Sequence, residues 1–241
     1  MTTLLICMGY MTLSTLIGVV SGLFSKSSEP KANSFIFAFS AGIMMYTSLS
    51  SLILPPVSAE SDLTFILAVC GFAGGVLFIS TVQSAPTFLK RLLSEEGCDE
   101  AIARVLLFVT AVAVHKIPEG IASGLACASD GGKAISLSLG LAVQNAPDGF
   151  ILSAPLVMAG MKKRKALAFG FAAAVLSAMG SVVGFIGASV FCSVLDALLA
   201  FAGGMMIFVT VSLIGETKSG RLACIGFALG VVLMMFFERY V

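Results

Sequence analysis

Ile102–Cys127 reads IARVLLFVTAVAVHKIPEGIASGLAC, and Ala134–Ala159 reads AISLSLGLAVQNAPDGFILSAPLVMA. Each run is long enough to cross a bilayer as a helix, which takes about 20 predominantly apolar residues. Each also carries ionisable residues in its middle, where a charge costs at least ~2.5–3.5 kcal/mol on insertion scales. Working outward, six more apolar runs are found at roughly 3–24, 33–54, 63–85, 165–190, 193–214 and 221–238. Polar or turn-forming stretches separate the runs: Ser25–Lys31, Pro55–Asp62, Thr87–Glu100, Ser129–Lys133, Lys162–Lys165, a short break near Ser193–Asp196, and Gly215–Gly220.

The composition agrees. The chain has 241 residues, 58% hydrophobic and only 11% charged, with a mean hydropathy of +1.06. A soluble domain averages about 45–50% apolar and about 25% charged residues, and one of this size could not bury so much apolar surface. A soluble enzyme, a nucleic-acid binder and a disordered chain are excluded. The apolar runs are continuous and do not alternate, which argues against a β-barrel. The expected fold is an all-α integral membrane protein of eight transmembrane helices, forming a single domain over 1–241 with the lipid bilayer as its surroundings. Met1–Cys7 has no basic residue, unlike a secretory leader, and reads as the start of the first span. Cys7, Cys70, Cys98, Cys127, Cys192 and Cys224 are scattered without a C-x-x-C pair and read as small buried apolar residues.

Lys and Arg report the direction of the spans. Lys26, Lys31, Lys90, Arg91, Arg104, the run Lys162–Lys165, Lys218 and Arg221 belong to odd-numbered loops. The even loops and the chain ends hold only Lys133 and Arg239. The odd loops are therefore expected in the cytoplasm and both termini on the non-cytoplasmic side, in a plasma or organelle membrane. Lys162–Lys165 reads as a positive-inside anchor rather than a lipid-binding patch.

Charges inside spans are few: Lys116 and Glu119 in the fourth and Asp148 in the fifth, beside the single His, His115. The fourth span reads His115-Lys116-Ile117-Pro118-Glu119-Gly120, and the fifth reads Gln144-Asn145-Ala146-Pro147-Asp148-Gly149. Both fit the pattern polar, polar, apolar, Pro, acid, Gly. His115 and Glu119 are four residues apart and share a helix face, as do Gln144 and Asp148. Pro118 and Pro147 cannot donate to the carbonyls of Val114 and Val143, so a kink is expected in each helix. The same motif on two antiparallel spans implies an inverted repeat with a pseudo-two-fold axis in the membrane plane, a design of many transporters with midplane sites. Phe39–Tyr46 (FSAGIMMY) and Phe201–Phe208 (FAGGMMIF) form a weaker echo between spans two and seven, for which chance similarity of Gly-rich helices is the alternative.

An imidazole, two carboxylates and an amide oxygen suit Zn²⁺, Fe²⁺ or Mn²⁺. The competing reading is a structural polar cluster with Lys116 paired to a carboxylate. Repetition of the motif with its proline favours the metal.

These residues resemble the ZIP family (Zrt- and Irt-like metal transporters), strongest over His115–Gly120 and Gln144–Gly149. Gly42-Ile43-Met44 and Leu49-Ser50-Ser51 look like its prokaryotic-type branch. The resemblance implies eight spans, both termini outside, and a transport site of His115, Glu119, Gln144 and Asp148 with Met44 as a thioether ligand. Met44 as a plain packing residue stays open. Ser51 matches a polar pathway residue. The departures carry information. Family members with a second, adjacent metal site have Asn in place of Lys116, an acid in place of Asn145, an acid on span six where Ser177 stands, and a Glu pair where Val211-Ser212 stands. A mononuclear site is therefore expected, with Asn145 and Ser177 as pathway residues and the Lys116 ammonium supplying the charge of the second ion. The loop Lys90–Glu100 has no His and reads as a solvated linker, not a metal sensor.

The expected function is movement of a divalent metal, Zn²⁺ foremost with Fe²⁺, Mn²⁺ and Cd²⁺ as candidates, toward the cytoplasm by alternating access. The metal is cargo, and no resident cofactor is expected. A transport-dead sensing or scaffold relative is the first alternative, kept by Lys116 and the lost second site. An intramembrane metalloenzyme is the second, weakened by the single His and the absence of H-E-x-x-H. The Gly-rich faces Gly71–Gly75 and Gly180–Gly187 permit close packing within a bundle or between protomers of a homodimer.

Overall fold

The computed structural model describes residues 1–25, 30–59, 61–84, 100–129, 131–191, 194–216 and 220–240. Described residues are almost entirely helical: α1 (Thr2–Gly22), α2 (Pro30–Thr47), a π-helical segment (Ser48–Ile53), α3 (Leu54–Val57), α4 (Asp62–Ser84), α5 (Glu100–Val114), α6 (Lys116–Ser129), α7 (Gly131–Met158), α8 (Lys163–Ile186), α9 (Ala188–Phe191), α10 (Leu195–Glu216) and α11 (Arg221–Tyr240). No strand occurs among the described residues. Among the described residues, six helices are long and apolar enough to cross a bilayer: Thr2–Gly22, Asn33–Val57, Asp62–Val82, Lys163–Ile186, Leu195–Gly215 and Arg221–Tyr240.

The other two apolar runs are those with charged centres. The fourth is divided at His115, which stands in a turn between α5 and α6. Pro118 lies in the first turn of α6, where a missing N–H costs nothing. The fifth, α7, is one 28-residue helix that continues through Pro147 and Pro155. The two prolines therefore differ: a break precedes Pro118, whereas the helix runs on unbroken through Pro147. The second run also extends past its expected end. Pro55 and Pro56 occupy the first turn of α3 instead of terminating the helix. The linker over residues 85–99, with Lys90, Arg91 and Cys98, lies outside the described residues, as do Cys192 and Ser193.

The glycines decide how the helices pair. α1 packs on α7, α6 on α8, α2 on α11, and α4 on α10. At each crossing a glycine meets partner backbone at a distance no Cβ would tolerate, which is how membrane helices without a hydrophobic driving force gain close contact. Gly149 of α7 meets the Thr15 carbonyl of α1, and Gly120 of α6 meets the Ser177 carbonyl of α8. Gly18 of α1 meets Ala146, and Gly180 of α8 meets Ile117. Gly42 of α2 meets Phe227 of α11, and Gly204 of α10 meets Phe72 of α4. Gly230 meets Phe39, and Gly75 meets Phe201. Gly71, Gly75, Gly180 and Gly184 thus pack within the chain.

Burial divides inner from outer helices. Within an apolar 18-residue stretch of each helix, 50% is buried in Asn33–Val57 and in Leu195–Gly215, against 17% in Asp62–Val82 and 22% in Arg221–Tyr240. The core centres on Ala41, Met44, Met205, Met206, Val209, Ile151 and Leu152. Leu13, Ile17, Leu63, Phe65, Leu229 and Phe236 point outward, a distribution that suits lipid as the surrounding solvent. Three of the described cysteines depart from expectation: Cys70 and Cys224 are exposed, on the outer faces of α4 and α11, and Cys127 is half-buried, whereas Cys7 is buried.

Candidate metal site

The break at His115 and the start of α6 bring the polar half of the first motif against α7. His115, Lys116, Glu119, Gln144, Asn145 and Asp148 are all buried. One ligand atom each of His115, Glu119 and Asp148 lies within 4.8 Å of the other two. His115 Nε2 is 3.6 Å from Asp148 Oδ2. Glu119 sits in the first turn of α6, where unpaired backbone N–H groups favour a carboxylate.

Lys116 joins the two motifs. Its Nζ donates to Glu119 Oε2 at 2.9 Å, to Asp148 Oδ2 at 2.5 Å, and to Asn145 Oδ1. The ammonium therefore occupies one oxygen of each carboxylate and leaves the others unused. Glu119 Oε1, Asp148 Oδ1, Gln144 Oε1 and both ring nitrogens of His115 are buried without a hydrogen-bond partner among the described residues. Buried polar atoms are otherwise nearly always paired. His115, Glu119 and Asp148 are grouped and Gln144 lies one helical turn before Asp148 on α7, so the four offer nitrogen and oxygen donors of the type that Zn²⁺ and other divalent first-row ions take.

The remaining sequence-derived residues divide. Asn145 is in the cluster through Lys116, with its Nδ2 unpartnered. Ser177 is buried on α8 with its hydroxyl unpartnered, and its carbonyl carries the Gly120 crossing. Met44 is fully buried in the core cluster. Ser51 is half-buried in the π-helical segment, its hydroxyl 3.3 Å from that of Ser50. π-Helical turns within α-helices are frequent at functional sites, and nothing in the sequence pattern marks this one. One contact that the sequence did not suggest involves Met206: Gln144 Nε2 donates to its sulfur at 3.4 Å. The echo of Phe39–Tyr46 in Phe201–Phe208 aligns Met206 with Met44 and held the signal that would have found it.

These features define an integral membrane protein with a metal-type ligand cluster in its core. The chain belongs to the ZIP family: a family model described as ZIP zinc transporter matches residues 92–238. Members of that family are transporters, which sets the metalloenzyme reading aside. The chain is 26% identical over 217 residues to the zinc transporter ZupT of Chlorobium chlorochromatii, covering 83% of this chain and 81% of that protein. It is 27% identical over 238 residues to the zinc transporter ZIPB of Bordetella bronchiseptica, covering 93% of this chain and 77% of that one. It is 28% identical over 215 residues to ZupT of Corynebacterium glutamicum, covering 80% and 81%.

Proposed function

We propose that this protein carries a divalent metal ion, Zn²⁺ foremost, toward the cytoplasm through a single site held by His115, Glu119, Gln144 and Asp148. Fe²⁺, Mn²⁺ and Cd²⁺ fit the same donors. The observation that carries this reading is the buried set of unpartnered ligand atoms on those four side chains. The names of the relatives support zinc as the cargo.

The protein crosses the membrane eight times, with the α5–α6 pair as one span and α7 as the next, and its termini face outward. The two halves form an inverted repeat, and the glycine crossings support this residue by residue. Gly120 on Ser177 answers to Gly149 on Thr15, and Gly42 on Phe227 answers to Gly204 on Phe72. The repeat thus relates α1 to α8, α2 to α10, α4 to α11, and the first motif to the second. Alternating access follows from rocking one set of helices against the other around the central motifs.

The ion sheds water for the imidazole, the two carboxylates and the Gln144 amide oxygen. Lys116 stands where a second ion would need ligands, already bonded to Glu119, Asn145 and Asp148. Its ammonium supplies fixed positive charge there, so the site holds one ion. Equilibrium binding of Zn²⁺ to the purified protein tests this. One ion per chain, lost in Glu119→Ala, is expected; two ions with Lys116 intact would refute the mononuclear site.

A further inference from the structure

The proposed ligand set leaves one buried donor at its edge unused. Met206, on α10, is 1% exposed, and its sulfur accepts a hydrogen bond from Gln144 Nε2 at 3.4 Å. The backbone around it repeats that around Met44. Thr210 Oγ1 donates to the Met206 carbonyl at 2.8 Å, and Ser48 Oγ donates to the Met44 carbonyl at 2.6 Å. Gly204, two residues before Met206, meets the backbone of α4, and Gly42, two residues before Met44, meets that of α11. His115 and Gln144 occupy the same place in their two motifs. Met206 thus touches Gln144, and it holds on α10 the place in the repeated segment that Met44 holds on α2.

We propose that Met206 is a second thioether donor to the transported ion and a determinant of the protein's preference for soft divalent cations. The inference rests on the transport reading above. A thioether is a poor hydrogen-bond acceptor but a good ligand for soft metals. Gln144 Oε1 has no partner and is bonded to the same carbon as the nitrogen that touches Met206. An ion taken up by that oxygen is held by the same amide that contacts the sulfur, within reach of a rotation of the flexible Met206 side chain. Thioethers approaching from both α2 and α10 favour Cd²⁺ and Zn²⁺ over the harder Mn²⁺.

Leu at either position keeps apolar volume and removes the sulfur, so Met44→Leu, Met206→Leu and the double variant separate the two donors. In proteoliposomes the Cd²⁺-to-Mn²⁺ uptake ratio of Met206→Leu should fall by about tenfold, the lower end of what changes around a metal site produce. Met206→Cys should restore it. A purely packing role would alter both ions alike, and an unchanged ratio overturns the proposal. X-ray absorption on the Cd²⁺-loaded full chain, with its six cysteines replaced by Ala, gives the direct readout. Sulfur scattering should persist in Met44→Leu and vanish in the double variant. A Met44→Leu spectrum without sulfur overturns the Met206 assignment alone. A wild type that binds no Cd²⁺ overturns the transport reading, and this inference with it.

Discussion

Lys116 Nζ lies 2.5 Å from Asp148 Oδ2, and neither side chain is exposed to any degree. The same ammonium is 2.9 Å from Glu119 Oε2. One cation thus neutralises part of a pair of carboxylates that would otherwise repel in a dry interior. A buried ion pair adds little net stability, but removing one partner leaves an uncompensated charge, at about 3–5 kcal/mol. Lys116 is therefore both a structural tie between the two motifs and a competitor for their oxygens.

Replacing Lys116 with Met removes the charge and keeps much of the apolar stem. Without metal, the variant should lose about 3–5 kcal/mol of stability, read as a lower thermal unfolding temperature in detergent. Saturating Zn²⁺ should recover part of that loss, because a ligand that binds only the folded state stabilises it. An unchanged unfolding temperature would show that the tie contributes nothing.

The glycine crossings make a second, sharper comparison. A Cβ on Gly149 would collide with the backbone of Thr15 and Val19, which cannot move aside as a side chain can. Gly149→Ala should destabilise by about 1–3 kcal/mol, the scale of overpacking a closed interface. Gly140, in the same helix, has nothing within 4 Å of where its Cβ would stand. Gly140→Ala should be neutral or stabilising by up to ~1 kcal/mol through helix propensity. Thermal unfolding of the two variants side by side decides the matter, and equal effects would contradict the packing scheme.

The bilayer orientation is also open to test. Lys163 Nζ sits 5.1 Å from the centroid of the Phe24 ring, which puts the end of α1 and the start of α8 at one end of the bundle. Single cysteines at Ser25 and Lys162 should react with an impermeant thiol reagent only from the cytoplasmic side. A cysteine at Ser58, after α3, should react only from outside. Labelling in the reverse pattern would invert the transporter.

Much of this arrangement is legible in the residues, and the reasons for the rest are physical. Continuous apolar runs translate directly into helices, because a backbone in lipid must satisfy its hydrogen bonds within a helix or a closed barrel, and a barrel strand would alternate. The site was legible because charge inside a membrane is costly, so His115, Lys116, Glu119 and Asp148 stand out against their surroundings. Where a helix breaks was less legible. Pro118 signals a disturbance, yet the break falls at His115, and Pro147 in the matching motif leaves α7 continuous. The π-helical segment Ser48–Ile53 carries no mark in its composition, since Ser and Leu are common in ordinary spans. Met206 was hidden by being apolar: a sulfur in a core of methionines looks like packing until its neighbour is known to be Gln144.

Conduction of a divalent ion through the buried cluster is read out by flux. Zn²⁺ uptake should be followed into proteoliposomes carrying wild type or Glu119→Ala, with folded protein in the membrane quantified for both. Wild type should take up Zn²⁺, and Glu119→Ala, present in equal folded amount, should not. Uptake by Glu119→Ala at the wild-type level would contradict the site, and no uptake by wild type would contradict transport itself.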